Sequence, residues 1–211
     1  MYNIRPNLHI GFHGCEQAIR DQLVINPQKI KLSQEKFDWL GHGFYVWENN
    51  YERALQWAKD KKKRGGINQP SVLGVVFTLG NCLDFTDSAY TTMIQQYYQL
   101  MKRDLAALGK MIPVNKDLPK DEHKDLILRE LDCAVIEFLH QKIREEKKRE
   151  DLSELGGQLN YFDTVRGVFT EGGPAYSGAG IQLKNHIQIC IRNINCIKGL
   201  FVPRVNSKFS G

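Results

Sequence analysis

Four residues far apart in the chain have side chains suited to holding a polar planar ligand: His13, Tyr45, Glu171 and Gln188. His13 lies in Phe12-His13-Gly14. Its imidazole can accept or donate a hydrogen bond near neutral pH, toward a ligand or within the fold. Tyr45 lies in Leu40-Gly41-His42-Gly43-Phe44-Tyr45-Val46-Trp47-Glu48-Asn49. Glycines permit close approach, so Gly41 and Gly43 open space beside whatever Tyr45 faces. Strand alternation sends Phe44 and Val46 one way and Tyr45 the other. Tyr45 is then either a flat wall for a planar ligand or a core aromatic with a satisfied hydroxyl. Gln188 supplies an amide but no charge. Glu171 lies in Thr170–Gly180, which holds four glycines and a proline and reads as a mobile loop. Its carboxylate could act as a base or stay solvated.

Other side chains have two readings each. His42 lines a pocket or faces solvent. Arg166 and Arg192 could meet a phosphate or form surface ion pairs. The run Lys59–Arg64 binds an acidic partner such as nucleic acid or is a solvated helix end. Trp39 and Trp47 could edge a pocket, while Trp57 suits a core. The six histidines show no metal-ligand spacing, so no metal is expected.

The elements that must position these groups follow from local pattern. Leu8–Cys15 reads as a strand with a turn at Gly14, and Glu16–Leu23 as a short helix. Phe44–Trp47 is a strand, and Tyr51–Lys63 a helix with a basic last turn stopped by Gly65-Gly66. Pro70–Leu79 is the clearest strand, with Leu83–Phe85 as a short edge element. Met93, Tyr97, Leu100, Met101, Leu105 and Leu108 recur at helical spacing, predicting a helix from Ser88 to about Leu108. A second helix is predicted over Asp125–Lys148. Strands follow near Tyr161–Phe169, His186–Arg192 and Ile197–Val202. Gly156-Gly157 reads as a break, and the chain from Asn206 as a polar tail.

The length of 211 residues suits one domain, 1–211, with a helical insertion at about 88–150. Hydrophobic residues make up 42%, enough for a packed core. The net charge of +5 permits a phosphate-rich partner without requiring one. No apolar run reaches the roughly 18 residues of a membrane span, and Met1–Pro6 does not begin a signal peptide. Five dispersed cysteines without a CxxC pair imply reduced thiols and a cytoplasmic location.

Together, the His-Gly dipeptide, the Gly-x-Gly-aromatic-Tyr strand with its following helix, and the late strand bearing Gln188 resemble the ADP-ribosyltransferase superfamily. The resemblance is to the branch of diphtheria toxin and the poly(ADP-ribose) polymerases, in a His-Tyr-Gln variant. The motif segments cover about a third of the chain, and the helical pair has no counterpart. The resemblance implies an α+β fold with a split antiparallel sheet and an inserted helical pair. It implies NAD as substrate. His13 would bond ribose hydroxyls, the Gly14 backbone would pair with the nicotinamide carboxamide, Tyr45 would stack on the nicotinamide, and Gly43, Phe44 and Gln188 would line the same site. Gln188 stands where the best-known members carry a catalytic Glu, which shifts attention to Glu171 as a base. The implied activity is mono-ADP-ribosyl transfer to a macromolecular acceptor, protein or nucleic acid, by a bacterial or phage-defence toxin with a possible antitoxin partner. NAD hydrolysis and a catalytically silent binding module are the rival readings.

Overall fold

The computed structural model describes residues 7–119, 122–150 and 161–204. The expected break at Gly156-Gly157, the tail from Asn206 and the Met1–Pro6 segment lie outside the described residues. Strand β1 (His9–Glu16) runs through Gly14 without the expected turn and passes directly into α1 (Gln17–Ile25). The reason is its neighbour β3 (Pro70–Phe77), which pairs with all eight residues of β1, from His9↔Phe77 to Glu16↔Pro70. That ladder holds Gly14 extended.

Strand β2 (Phe44–Glu48) leads into α2 (Tyr51–Lys63). The Asn50 side chain accepts from Arg53 N at 3.0 Å and caps the helix start, while Lys61, Lys62 and Lys63 face the negative end of its dipole. Short β4 (Cys82–Asp84) precedes α3 (Ser88–Ala107), capped by Asp87. Helix α4 (Glu130–Glu150) begins five residues later than expected. Lys124 and Leu126 have φ near +54° and +50°, and β6 (Leu128–Arg129) pairs with β5 (Asn115–Lys116), so the preceding residues cannot be helical. Strands β7 (Thr164–Phe169), β8 (His186–Ile191) and β9 (Ile197–Phe201) complete the chain.

The fold is α+β, with a seven-stranded sheet in the order β4-β7-β8-β2-β1-β3-β9. The sheet is mixed, not wholly antiparallel as expected, because β4 and β7 run parallel. A parallel pair needs a long crossover, and the α3–α4 excursion supplies it. One face packs under α1: Leu23 shares a buried cluster with Phe44, Val46, Leu73, Val75, Phe77, Ile189 and Ile191. The other face is covered by α2, through Ala54 on Trp47 and Val72, and by α4, through Ile136, Leu139 and Ile143 on Leu40, Leu83, Val165 and Cys190. Full burial of each such side chain contributes about 1.5–3 kcal/mol. The five cysteines are free thiols. Among the described residues, no helix is long and apolar enough to cross a membrane.

Candidate active site

The three motif segments are neighbours: β1, β2 and β8 lie side by side at the centre of the sheet. Strands β1 and β2 share only two register positions, Gly11↔Glu48 and Phe12↔Trp47. Past Gly11↔Glu48 one more backbone bond follows, Asn49 N to Ile10 O at 3.0 Å; toward His13 the ladder ends at Phe12↔Trp47. There His13 Nδ1 lies 2.8 Å from the Tyr45 carbonyl oxygen, so its side chain bridges strands whose backbones have parted. A carbonyl can only accept, so Nδ1 carries the proton and Nε2 is left as an acceptor. Burial pushes the His13 pKa down to about 4 against the raising effect of that bond, with Lys61 lowering it further. The ring is therefore neutral at pH 7, and it packs on Phe44 with centroids 4.5 Å apart.

Register shows which side chains share a face. Gly11, opposite both Val75 and Glu48, places His13 on the α1 face with Phe44. Tyr45↔Cys190 and Trp47↔Gln188 place Tyr45 and Gln188 on the opposite face. The structure thus brings Tyr45 and Gln188 together, while His13 reaches them only through the Tyr45 backbone.

Tyr45 is partly buried beside the α4 cluster. Its hydroxyl donates to Gly41 O at 2.8 Å and accepts from Leu40 N at 2.9 Å. Burial holds its pKa well above the usual phenol value, so it stays protonated. The space beside the glycines is filled by protein. A Cβ at Gly41, where φ is +78°, would lie 2.6 Å from Glu137 Oε1 and 2.7 Å from Arg192 Nη1. One at Gly43 would lie 2.4 Å from Cys190 Sγ, and one at Gly14 2.3 Å from Ala54 O. These glycines admit α4, β8 and α2, in place of the clearance expected from the sequence.

Gln188 is 9% exposed, and its Oε1 accepts from Trp39 Nε1 at 2.5 Å. Trp39 reaches it because Gly167, opposite Gln188, has no side chain: a Cβ there would meet the indole at 2.8 Å. Glu171 is 7% exposed, buried where a mobile, solvated loop residue was expected. Arg53 holds it, with Nε donating to Oε1 at 2.9 Å and Nη2 closer still. Gly172 N donates to Asp125 Oδ2 at 2.9 Å, and Leu183 N to Gly173 O at 2.8 Å, so the glycine-rich segment is tied down at its base. His186 stacks on Phe169 and donates through Nδ1 to Lys184 O at 2.7 Å; burial pushes its pKa down to about 4. Arg129 covers Phe169 at 3.9 Å and Trp39 at 5.2 Å.

Both arginines read as phosphate candidates are occupied by carboxylates. Arg166 pairs with Glu48 and Asp84, each at 2.9 Å, and Arg192 with Glu137. Glu137 also accepts from His42 N at 2.8 Å, which fastens the loop before β2 to α4, and its pKa is lowered because Arg192 and His42 outweigh the cost of burial. A groove of 330 Å³ between α3 and α4, walled by Met101, Leu105, Met111, Pro113 and Phe138, includes none of the four candidate residues. Arg53 and Arg129 were not singled out by the sequence. Arg53 stands out locally as the one basic residue in the first turns of α2, but its partner lies 118 positions away. Among the described residues, no cluster of three or more His, Cys, Asp or Glu could hold a metal. Compared with known proteins, the chain matches no family model, no curated protein and no solved structure.

Proposed function

We propose that the chain is a mono-ADP-ribosyltransferase that takes NAD at the parting of β1 and β2 and transfers ADP-ribose to a macromolecular acceptor, protein or nucleic acid. In this reading the sheet is a split ADP-ribosyltransferase core, the α3–α4 pair is an insertion within it, and the protein is a cytoplasmic toxin or defence effector held in check by an antitoxin. The observation that carries it is the His13–Tyr45 bridge at the end of a two-position β1–β2 ladder. It leaves a neutral imidazole with Nε2 as acceptor, the form that takes a hydrogen bond from a ribose hydroxyl. Tyr45 is half-buried, and Gln188 lies two register positions away on the neighbouring strand, on the same face. The nicotinamide of NAD is already a cationic leaving group, so the residues' work is to orient NAD and exclude water.

Gln188 is the member that transfer would recruit, and Trp39 holds its oxygen. That contact favours the second reading, a catalytically silent NAD- or nucleic-acid-binding module, until ligand displaces the indole. Adenylate-labelled NAD incubated with the chain and a cell lysate, followed by protease or nuclease digestion, separates the readings. Transfer gives label on a digestible product and free nicotinamide in equal amount, both lost in His13→Ala. NAD hydrolysis gives ADP-ribose without labelled product. Binding measured by calorimetry with neither product overturns transfer in favour of the silent module.

A further inference from the structure

The basic run Lys59–Arg64, which closes α2, takes no part in the site described above. It holds five cations and one carboxylate, which is four of the five net positive charges of the whole chain. The carboxylate, Asp60, pairs with Lys63 at 3.2 Å. Among the described residues, Lys59, Lys61, Lys62 and Arg64 form no ion pair. Lys59, Lys62, Lys63 and Arg64 are exposed. The ammonium of Lys61 lies 4.9 Å from the centroid of the half-buried Trp57 ring, which sets an aromatic group among the cations.

The run stands at one end of the candidate site. Gly14, next to His13, packs beneath α2: a Cβ there would lie 2.3 Å from Ala54 O and 3.3 Å from the Trp57 ring. Past the helix, Asn68 N and Gln69 N donate to the two oxygens of Glu16, the last residue of β1, at 2.6 and 2.9 Å. The basic turn is therefore fastened to the end of β1 that lies beyond the last β1–β2 register position. Its field reaches the site, since Lys61 is among the causes that lower the His13 pKa.

Concentrated positive charge attracts a polyanion. Protein interfaces are depleted in lysine, and four of the five cations here are lysines. A helix that lies on a bilayer needs a free apolar face. That of α2 is already packed, Ala54 with Trp47 and Val72, and Leu55 and Trp57 against them. Nucleic acid takes Lys and Arg on its phosphates and an aromatic ring against a base. Both are present in this turn.

We infer that the last turn of α2 binds single-stranded nucleic acid, with phosphates on Lys59, Lys62 and Arg64 and a base on the Trp57 ring. A base that stacks there displaces Lys61 onto a further phosphate. The surface stands without the NAD reading. The next step rests on that reading: nucleic acid is then the acceptor, delivered where β1 and β2 part. The bond from ribose C1′ to the nicotinamide nitrogen breaks, and its electron pair goes to nicotinamide. A bond from C1′ to a nitrogen or oxygen of the nucleic acid forms, and the proton of that atom passes to water.

The test is the anisotropy of a fluorescent mixed-sequence single strand, as RNA and as DNA, with the full chain from about 50 to about 200 mM salt. The native chain is expected to give a slope of log affinity against log salt on the order of −3. The triple variant Lys59→Gln, Lys62→Gln, Arg64→Gln changes only exposed side chains. It is expected to bring the slope to about −1 and to weaken binding at least about tenfold. Trp57→Leu is expected to weaken binding about fivefold or more with the slope kept. Circular dichroism identifies a Trp57→Leu chain that does not fold, and the triple variant then decides. A slope and affinity unaltered in the triple variant overturn the surface. Polyglutamate that displaces the strand at equal charge overturns nucleic acid in favour of an acidic protein. Labelled NAD then reads the acceptor. Label on the strand, much reduced in the triple variant, supports both the surface and the transfer. Strand binding without any NAD turnover overturns the transfer and leaves the surface standing. Label on protein alone overturns the nucleic-acid acceptor and leaves transfer standing.

Discussion

On the α1 face of the sheet, Leu73, Val75, Phe77, Ile189 and Ile191 form a buried apolar cluster with Leu23, and the buried Ser71 and Thr164, with His13, lie on the same face as satisfied polar groups. On the opposite face, at equal depth, lie Trp47, Glu171, His186 and Gln188. The first face gains most of its stability by burying carbon, and its few buried polar groups are each satisfied by one bond. The second buries polar groups whose desolvation is offset only when each finds its partner. Trp39 meets Gln188, and Arg53 meets Glu171, but Trp47 Nε1 and Arg53 Nη1 find no acceptor among the described residues.

The sharpest break of this comparison is the Arg53–Glu171 pair. Glu171→Gln keeps the shape and strands a buried guanidinium, and is expected to cost about 3–5 kcal/mol in urea unfolding. The double variant Arg53→Met with Glu171→Met, which makes this spot resemble the α1 face, is expected to recover most of that loss. If the double variant is as unstable as the single, the pair is a structural requirement and the contrast between the faces fails.

Acid sharpens the contrast next. Burial lowers His186 and His13 to about 4 in the folded chain. An unfolded His titrates near 6.5. Between those values the unfolded chain binds the extra proton, so stability is full above about pH 6.5 and falls as pH drops toward 4. For His186, 7% exposed, the loss is on the order of 3 kcal/mol. Urea midpoints from pH 7 to pH 4 should show this slope. His186→Asn should flatten it. His13→Asn should flatten it too, since burial lowers both histidines to about 4. A slope unchanged in His186→Asn would remove the claim that this face is dry.

Strands and helices were readable where periodicity was strong. Pro70–Phe77 and the helix from Ser88 appear almost where alternation and the three-four spacing put them. The site was readable in its segments and not in its contacts. Gly41 and Gly43 announced a close approach, but glycine does not say what approaches, and here it is α4 and β8. Alternation placed Tyr45 opposite Phe44, yet which of the two shares a face with His13 depends on the β1–β2 register, Gly11↔Glu48, which no local pattern encodes. Glu171 read as solvated because its partner, Arg53, is 118 residues distant. The start of α4 was misplaced because positive φ at Lys124 and Leu126 is imposed by packing, in residues with no such preference.

The smallest expected effect is the most specific. Trp39→Phe keeps the aromatic packing on Phe169, whose ring centroid is 5.1 Å away, and removes only the donor to Gln188. It leaves the Gln188 oxygen unsatisfied, at a cost of about 1–2 kcal/mol in urea unfolding. The same change frees that oxygen for a ligand hydroxyl, so the affinity for NAD should rise while stability falls. The two measurements move in opposite directions only if Gln188 is a binding group held in reserve by Trp39. If stability and NAD affinity fall together, the indole is part of the binding wall. If stability falls and affinity is unmoved, Gln188 is a structural amide, and the second face is polar for reasons of packing alone.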